Sequence, residues 1–192
     1  MKIYDISQGV FDCKVYPGDP KPEKQILCAT DAGDLYNLTA FSMCAHNGTH
    51  IDAPFHFLGN EKTVGQMELR IFVGDCYVAR HNGDVSAADA AAILQKAADA
   101  PRILIAGPVV VTPEAAEVFA NSGICLVGNE SQSVGPENAP MQVHKILLAK
   151  DVALLEGVVL TDIPEGRYFL SAAPLNLGGA DGAPCRAYLI EK

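Results

Sequence analysis

Apolar and polar positions alternate through much of the first half of the chain, the period-two pattern of strands with one buried face. Residues 2–10 mix the two types in this way. In 36–45, Leu38, Ala40, Ser42 and Cys44 fall on one parity and Thr39, Phe41 and Met43 on the other. Residues 25–30 read as a further strand, and 69–73 and 76–80 as a pair about Gly74-Asp75. Tyr16-Pro17-Gly18-Asp19-Pro20 punctuates the chain as a turn.

Helical signals enter in the second half. Ser86-Ala87-Ala88-Asp89 starts as a capping box with Asp in place of Glu, and an alanine-rich run continues to Ala98. Thr112-Pro113-Glu114 sets an N-cap threonine before a proline at the first helical position, and Gly123 is the expected stop. A third helix is expected over 140–150, carrying His144. Apolar runs at 102–106, 124–127, 152–155, 157–160, 167–172 and 187–190 read as strands. The order predicts an α/β chain rich in strand, one domain over 1–192, without the regular βαβ alternation of a doubly wound sheet.

Composition narrows the functions. The chain is 49% hydrophobic and 19% charged, with a net charge of -9 and no clustered basic patch, which disfavours nucleic acid and anionic membrane as partners. No long apolar run follows Met1, and no segment approaches a transmembrane length. The six cysteines are scattered without a CxxC pair, as expected of reduced thiols in a cytoplasmic protein.

Histidine concentrates the chemistry. Of five in the chain, three (His46, His50 and His56) lie within the eleven residues 46–56, with Asp52 among them. Imidazole and carboxylate together suit zinc, manganese or iron. Gly48 and Pro54 argue against a helix here, so His50 and Asp52 project to one face of an extended backbone, and a turn at Gly48 lets His46 reach the same point. A lone histidine would be read as a core or turn residue; three with an interleaved aspartate point to metal binding. His144 and Glu156 by themselves read equally as a helix-surface histidine and a turn charge, although apolar neighbours on both sides suggest that Glu156 is buried. His81, in a turn, receives no role.

The stretch His-Asn-Gly-Thr-His-Ile-Asp-Ala-Pro-Phe-His at 46–56 resembles the H-x-G-T-H-x-D-x-P-x-H motif of the cyclase family, which includes bacterial kynurenine formamidases and isatin hydrolases. The turn at 16–20, Leu126-Val127-Gly128, the twelve-residue spacing of His144 and Glu156, and residues 154–160 and 163–166 are similar to the family pattern as well. The resemblance implies a barrel-like mixed sheet with flanking helices. It implies that His46, His50 and Asp52 hold one metal and that Asp52, His144 and Glu156 hold a second, with Asp52 bridging. Either two zinc ions per chain or manganese would fit. His56 is then the general acid and base, and Tyr16 contacts the substrate where kynurenine formamidase has a tryptophan. A homodimer or larger assembly is implied too.

The reaction so implied is hydrolysis of a C–N bond, amide or lactam, in a small aromatic compound by a metal-bound hydroxide, with N-formylkynurenine the first named candidate. A cyclase or dehydratase using the same metal, and a metal-holding binding protein without turnover, are the alternatives. Three features depart from the pattern: Tyr16 in a chain without tryptophan, a shortened loop after Ile105, and Glu130 and Gln132 where the family has aspartate and proline. All three are expected to fall where substrate is held.

Overall fold

The apolar runs assemble into one long sheet. The computed structural model describes residues 1–191, so Lys192, the last residue of the expected domain, lies outside the described residues. The elements are β1 (Lys2–Asp5), β2 (Glu23–Cys28), β3 (Leu38–Ser42), β4 (His50–Asp52), β5 (Val73–Arg80), β6 (Gly83–Val85), α1 (Ala87–Ala97), β7 (Arg102–Ala106), β8 (Val109–Val111), α2 (Pro113–Ala120), β9 (Leu126–Asn129), α3 (Met141–Leu148), β10 (Ala153–Glu156), β11 (Gly166–Ser171), β12 (Gly182–Pro184) and β13 (Tyr188–Glu191). Nine strands form a sheet of order β1-β13-β11-β5-β7-β9-β10-β4-β12, curled into a half-barrel. β2–β3 and β6–β8 form separate two-stranded sheets.

The centre of the sheet is parallel: β5, β7, β9 and β10 follow one another through crossovers carrying α1, α2 and α3. Three successive βαβ units thus form the core, but all three helices lie on one face, so the sheet is not doubly wound, as expected. β6 and β8 interrupt the crossovers and disguise the pattern in sequence. The helices share one face, burying Ile103, Ile105, Val127, Phe119 and Leu147, while Leu104, Leu126, Leu155, Ile51 and Leu189 pack on the other. Both faces of β7 are therefore covered, which is why residues 102–106 carry no polar alternation apart from Arg102.

The helix starts follow their caps. Ser86 accepts from the Asp89 amide in a capping box, and the Thr112 hydroxyl accepts from the Ala115 amide with Pro113 in the first turn. α2 ends at Ala120, ahead of the expected stop at Gly123. Other boundaries differ more. β1 ends at Asp5, with a 3-10 turn at Val10–Asp12. Residues 157–160 form no strand; they run as a loop whose amides reach Asn129 and Ile6. The pair expected about Gly74-Asp75 is a single strand, β5, with Leu69–Ile71 a 3-10 turn before it. Buried Arg102 explains the misreading. It donates to the carbonyls of Ile71 and Asp75 at 2.8 and 3.1 Å and to that of Arg70. A Cβ on Gly74 would stand 2.7 Å from its guanidinium, so the glycine makes room for the arginine rather than a turn.

Candidate active site

The histidine-rich stretch is extended only along β4; a turn precedes it, and Pro54 opens a 3-10 turn, Pro54–His56, that carries His56. Gly48 takes a φ of 66°, and a turn there brings His46 back toward β4. β4 lies between β10 and β12, with His50 opposite Glu156 and Asp52 opposite Gly182. His50, Asp52 and Glu156 therefore share one sheet face. α3 packs over that face and lowers His144 onto it: the His144 Nε2 lies 3.3 Å from Asp52 and 3.2 Å from Glu156. The His50 Nε2 lies 3.4 Å from each of the same two carboxylates, and the His46 Nδ1 is 2.8 Å from Asp52. All five expected ligands thus converge, four of them almost fully buried.

The other ring nitrogens have fixed duties. The Nδ1 of His50 donates to the Gly48 carbonyl at 3.0 Å and that of His144 to the Pro140 carbonyl at 2.8 Å. A carbonyl only accepts, so each ring keeps a proton on Nδ1 and turns its Nε2 toward the carboxylates. Two acidic groups and two imidazoles in such contact move one another's titration. Burial opposes the charged form of His144, but the Asp52 and Glu156 carboxylates, 3.3 and 3.2 Å from its Nε2, prevail and push it up to about 10. His50 is raised well above its ordinary value against the same burial. Asp52 is lowered well below the carboxylate range: burial opposes this, but His144, His46 and His50 together prevail.

These residues fit a metal. The His50 Nε2 and Asp52 Oδ2 are buried without a hydrogen-bond partner, a costly state for two polar atoms unless something else satisfies them. Two ligand atoms each about 2.1 Å from one ion lie roughly 3 to 3.4 Å apart, and the 3.2 to 3.4 Å separations of His50 and His144 from the two carboxylates match, while His46 stands closer to Asp52 at 2.8 Å. His50, Asp52 and Glu156 offer ligand atoms within 4.8 Å of one another, and so do His46, Asp52 and His56.

A cavity of about 210 Å³ opens above the cluster, lined by Tyr16, Asp19, His56, Phe57, Gln132 and Pro140 as well as by the buried residues. The His56 side chain is 25% exposed, against 1% for His50 and 3% for His144.

Three comparisons bear on this arrangement. Residues 4–106 match the family described as "Putative cyclase". The chain is 34% identical to a kynurenine formamidase of Erythrobacter litoralis, over 99% of this chain and 94% of that one. The chain belongs to the cyclase family of metal-dependent hydrolases. A solved structure of a potential metal-dependent hydrolase with cyclase activity is 30% identical and superposes with a TM-score of 0.81, covering 98% of this chain and 96% of its own. An isatin hydrolase bound to the product analogue thioisatinate shares the fold at 18% identity, with a TM-score of 0.85 and coverage of 100% of this chain and 93% of the other.

Set against the cyclase family, the three departures divide. Tyr16 and Gln132 line the cavity. The Tyr16 hydroxyl donates to the Glu137 carbonyl, which anchors the ring. Glu130 is elsewhere, correcting the expectation that it faces substrate. It accepts from the Gly107 amide at 2.8 Å and the Leu160 amide at 2.7 Å, so it braces the turn at Gly107. Gly107, at a φ of 112°, has no room for a Cβ beside the His81 carbonyl.

Sequence reading missed Asp181 and Thr49. The Thr49 hydroxyl donates to the Gly157 carbonyl at 2.6 Å, tying β4 to the end of β10 beside Glu156. Asp181 lies 2.8 Å from the His46 Nε2 and 3.1 Å from the His56 Nδ1. In sequence it stands between glycine-rich neighbours and reads as a turn residue.

Proposed function

We propose that this cyclase-family chain hydrolyses a C–N bond, amide or lactam, in a small aromatic compound, with N-formylkynurenine the first candidate. The observation that carries the reading is the convergence of three imidazoles and two carboxylates, with partnerless buried atoms among them, at the floor of a cavity that also holds His56. His46, His50 and Asp52 would hold one ion and Asp52, His144 and Glu156 another, zinc or manganese by donor type. Such ions, when bound, acidify water and polarise a carbonyl oxygen.

The chain's own residues do the rest. Tyr16 and Phe57 present aromatic faces to a flat substrate, and the cavity wall holds its carbonyl over the cluster. His56 takes a proton from the attacking water and returns it to the leaving nitrogen, a task suited to an imidazole. Geometry also admits His56 to a ligand triad. Its exposure to the cavity and its tie to Asp181 favour the proton role.

The test is turnover of N-formylkynurenine, formanilide and isatin by protein loaded with zinc or manganese, with products weighed by mass spectrometry. We expect the highest kcat/KM for N-formylkynurenine and a product set heavier by one water. Turnover of a different amide alone would reassign the substrate. A product lighter by water would support the cyclase or dehydratase reading.

We further propose a homodimer in the cytoplasm. The cysteines are free thiols, the state that a reducing compartment maintains. The β2–β3 sheet exposes Ile26 at 63%, Leu27 at 50% and Phe41 at 57%. A two-stranded sheet is marginal alone and such apolar exposure favours association. Light scattering should give twice the chain mass, falling to one chain mass in an Ile26→Asp, Phe41→Asp variant; a wild-type monomer at micromolar concentration would contradict the proposal.

Among the described residues, no helix is long and apolar enough to cross a membrane.

A further inference from the structure

The three histidines of the cluster are not held alike. His50 and His144 each give one ring nitrogen to a backbone carbonyl and turn the other to the carboxylates. His46 has its Nδ1 toward Asp52, but its Nε2 meets a side chain, the Asp181 carboxylate, at 2.8 Å. The same oxygen, Oδ2, lies 3.1 Å from the His56 Nδ1. The two rings stack over it, their centroids 4.1 Å apart and their planes tilted by 31°.

The backbone builds this mount deliberately close. Asp181 directly precedes β12, and its carbonyl accepts from the Ala53 amide at 2.9 Å, fastening it beside the end of β4. Gly182 follows, and a Cβ there would stand 2.7 Å from the His46 ring. The glycine lets the imidazole lie against the strand, and the aspartate beside it receives the ring's outer nitrogen.

We infer that Asp181 is a positioning residue for the reaction: one carboxylate oxygen accepts from both His46 and His56, setting the ligand histidine and the proton-carrying histidine in register. This rests on the roles proposed above for those two histidines. An ionised carboxylate oxygen accepts only, so it receives the Nε2–H of His46 and turns the Nδ1 edge of that ring toward Asp52, where a metal would be held. It selects the Nδ1–H form of His56, leaving Nε2 as the atom that takes and returns the proton. Outer partners of this kind orient metal-bound imidazoles, and their loss typically costs about 10- to 100-fold in metal affinity or activity.

The test uses Asp181→Ala and the isosteric Asp181→Asn, which retains a single acceptor oxygen. Three quantities are read: the His56 ring tautomer in the metal-free protein by ¹⁵N NMR, metal affinity by chelator competition, and kcat and KM separately. We expect Asp181→Ala to lose the selected His56 tautomer and weaken metal affinity by about 10- to 100-fold. Its kcat should fall while KM stays within about twofold, and the fall in kcat at saturating metal should disappear in a His56→Ala background. Asp181→Asn should fall between it and wild type. An unchanged His56 tautomer in both variants, or an equal loss of kcat with and without His56, would overturn the inference. If wild type binds no metal, the proposed function fails, while the His56 spectrum still decides whether Asp181 sets that ring.

Discussion

Asp52→Ala should abolish metal binding and bring turnover below about one thousandth of the wild-type rate. Asp52 alone faces all three imidazoles of the cluster: Oδ1 lies 2.8 Å from His46 and 3.4 Å from His50, and Oδ2 lies 3.3 Å from His144. It is 1% exposed, on β4 between β10 and the edge strand β12. Glu156 reaches His50 and His144 but makes no contact with His46. Removing Asp52 also leaves the metal-free protein with buried imidazoles deprived of their shared counter-charge, a change that typically costs about 3 to 5 kcal/mol. Thermal unfolding of metal-free Asp52→Ala should show that loss, and elemental analysis the missing metal. A variant that kept both metal and rate would remove Asp52 from the centre of the site.

His56→Ala should behave in the opposite way with respect to metal. It should retain the wild-type complement while kcat falls by about 10²- to 10⁴-fold, the usual range for losing a positioned acid and base, with little change in KM. His56 differs from the buried cluster in its 25% exposure and in bonding to Asp181 rather than directly to Asp52 or Glu156. Elemental analysis beside steady-state kinetics separates the outcomes. Full metal with slow turnover supports the proton role; loss of metal along with turnover would make His56 a ligand.

How much of this was legible depends on how local each feature is. The strand within 46–56 carried its own conformation, because Gly48 and Pro54 bar an α-helix through it and two-residue spacing then places His50 and Asp52 on one face, whereas the 3-10 turn that Pro54 opens under His56 was not legible. Helix starts at Ser86 and Thr112 were legible for the same reason: a cap is a contact between residues three apart. His144 and Glu156 come together with Asp52 from α3 and β10, across about a hundred residues, and only the family pattern linked them. Asp181 is more distant still and lies in a run that reads as a turn. The strand through Gly74 was hidden because its glycine answers to Arg102, a tertiary partner, rather than to local turn geometry. Glu130 was misplaced because a substitution at a family position shows that something changed and not what the new side chain touches; here it touches two backbone amides.

The most direct test is calorimetric titration of the metal-free protein with zinc and with manganese, repeated in buffers of different ionisation heat and at several pH values. Two equivalents per chain are expected. His50 and His144 hold their protons above the ordinary histidine range when no metal is present. Binding must therefore release protons, and affinity should rise with pH across the neutral range. The sign for the metal-free fold is opposite: what the raised His144 contributes to stability is complete below its unfolded pKa, about 6.5, and is lost as pH rises through about 10. Two equivalents with proton release place a metal centre on His46, His50, Asp52, His144 and Glu156. No binding of either ion, or binding that Asp52→Ala leaves untouched, would contradict it.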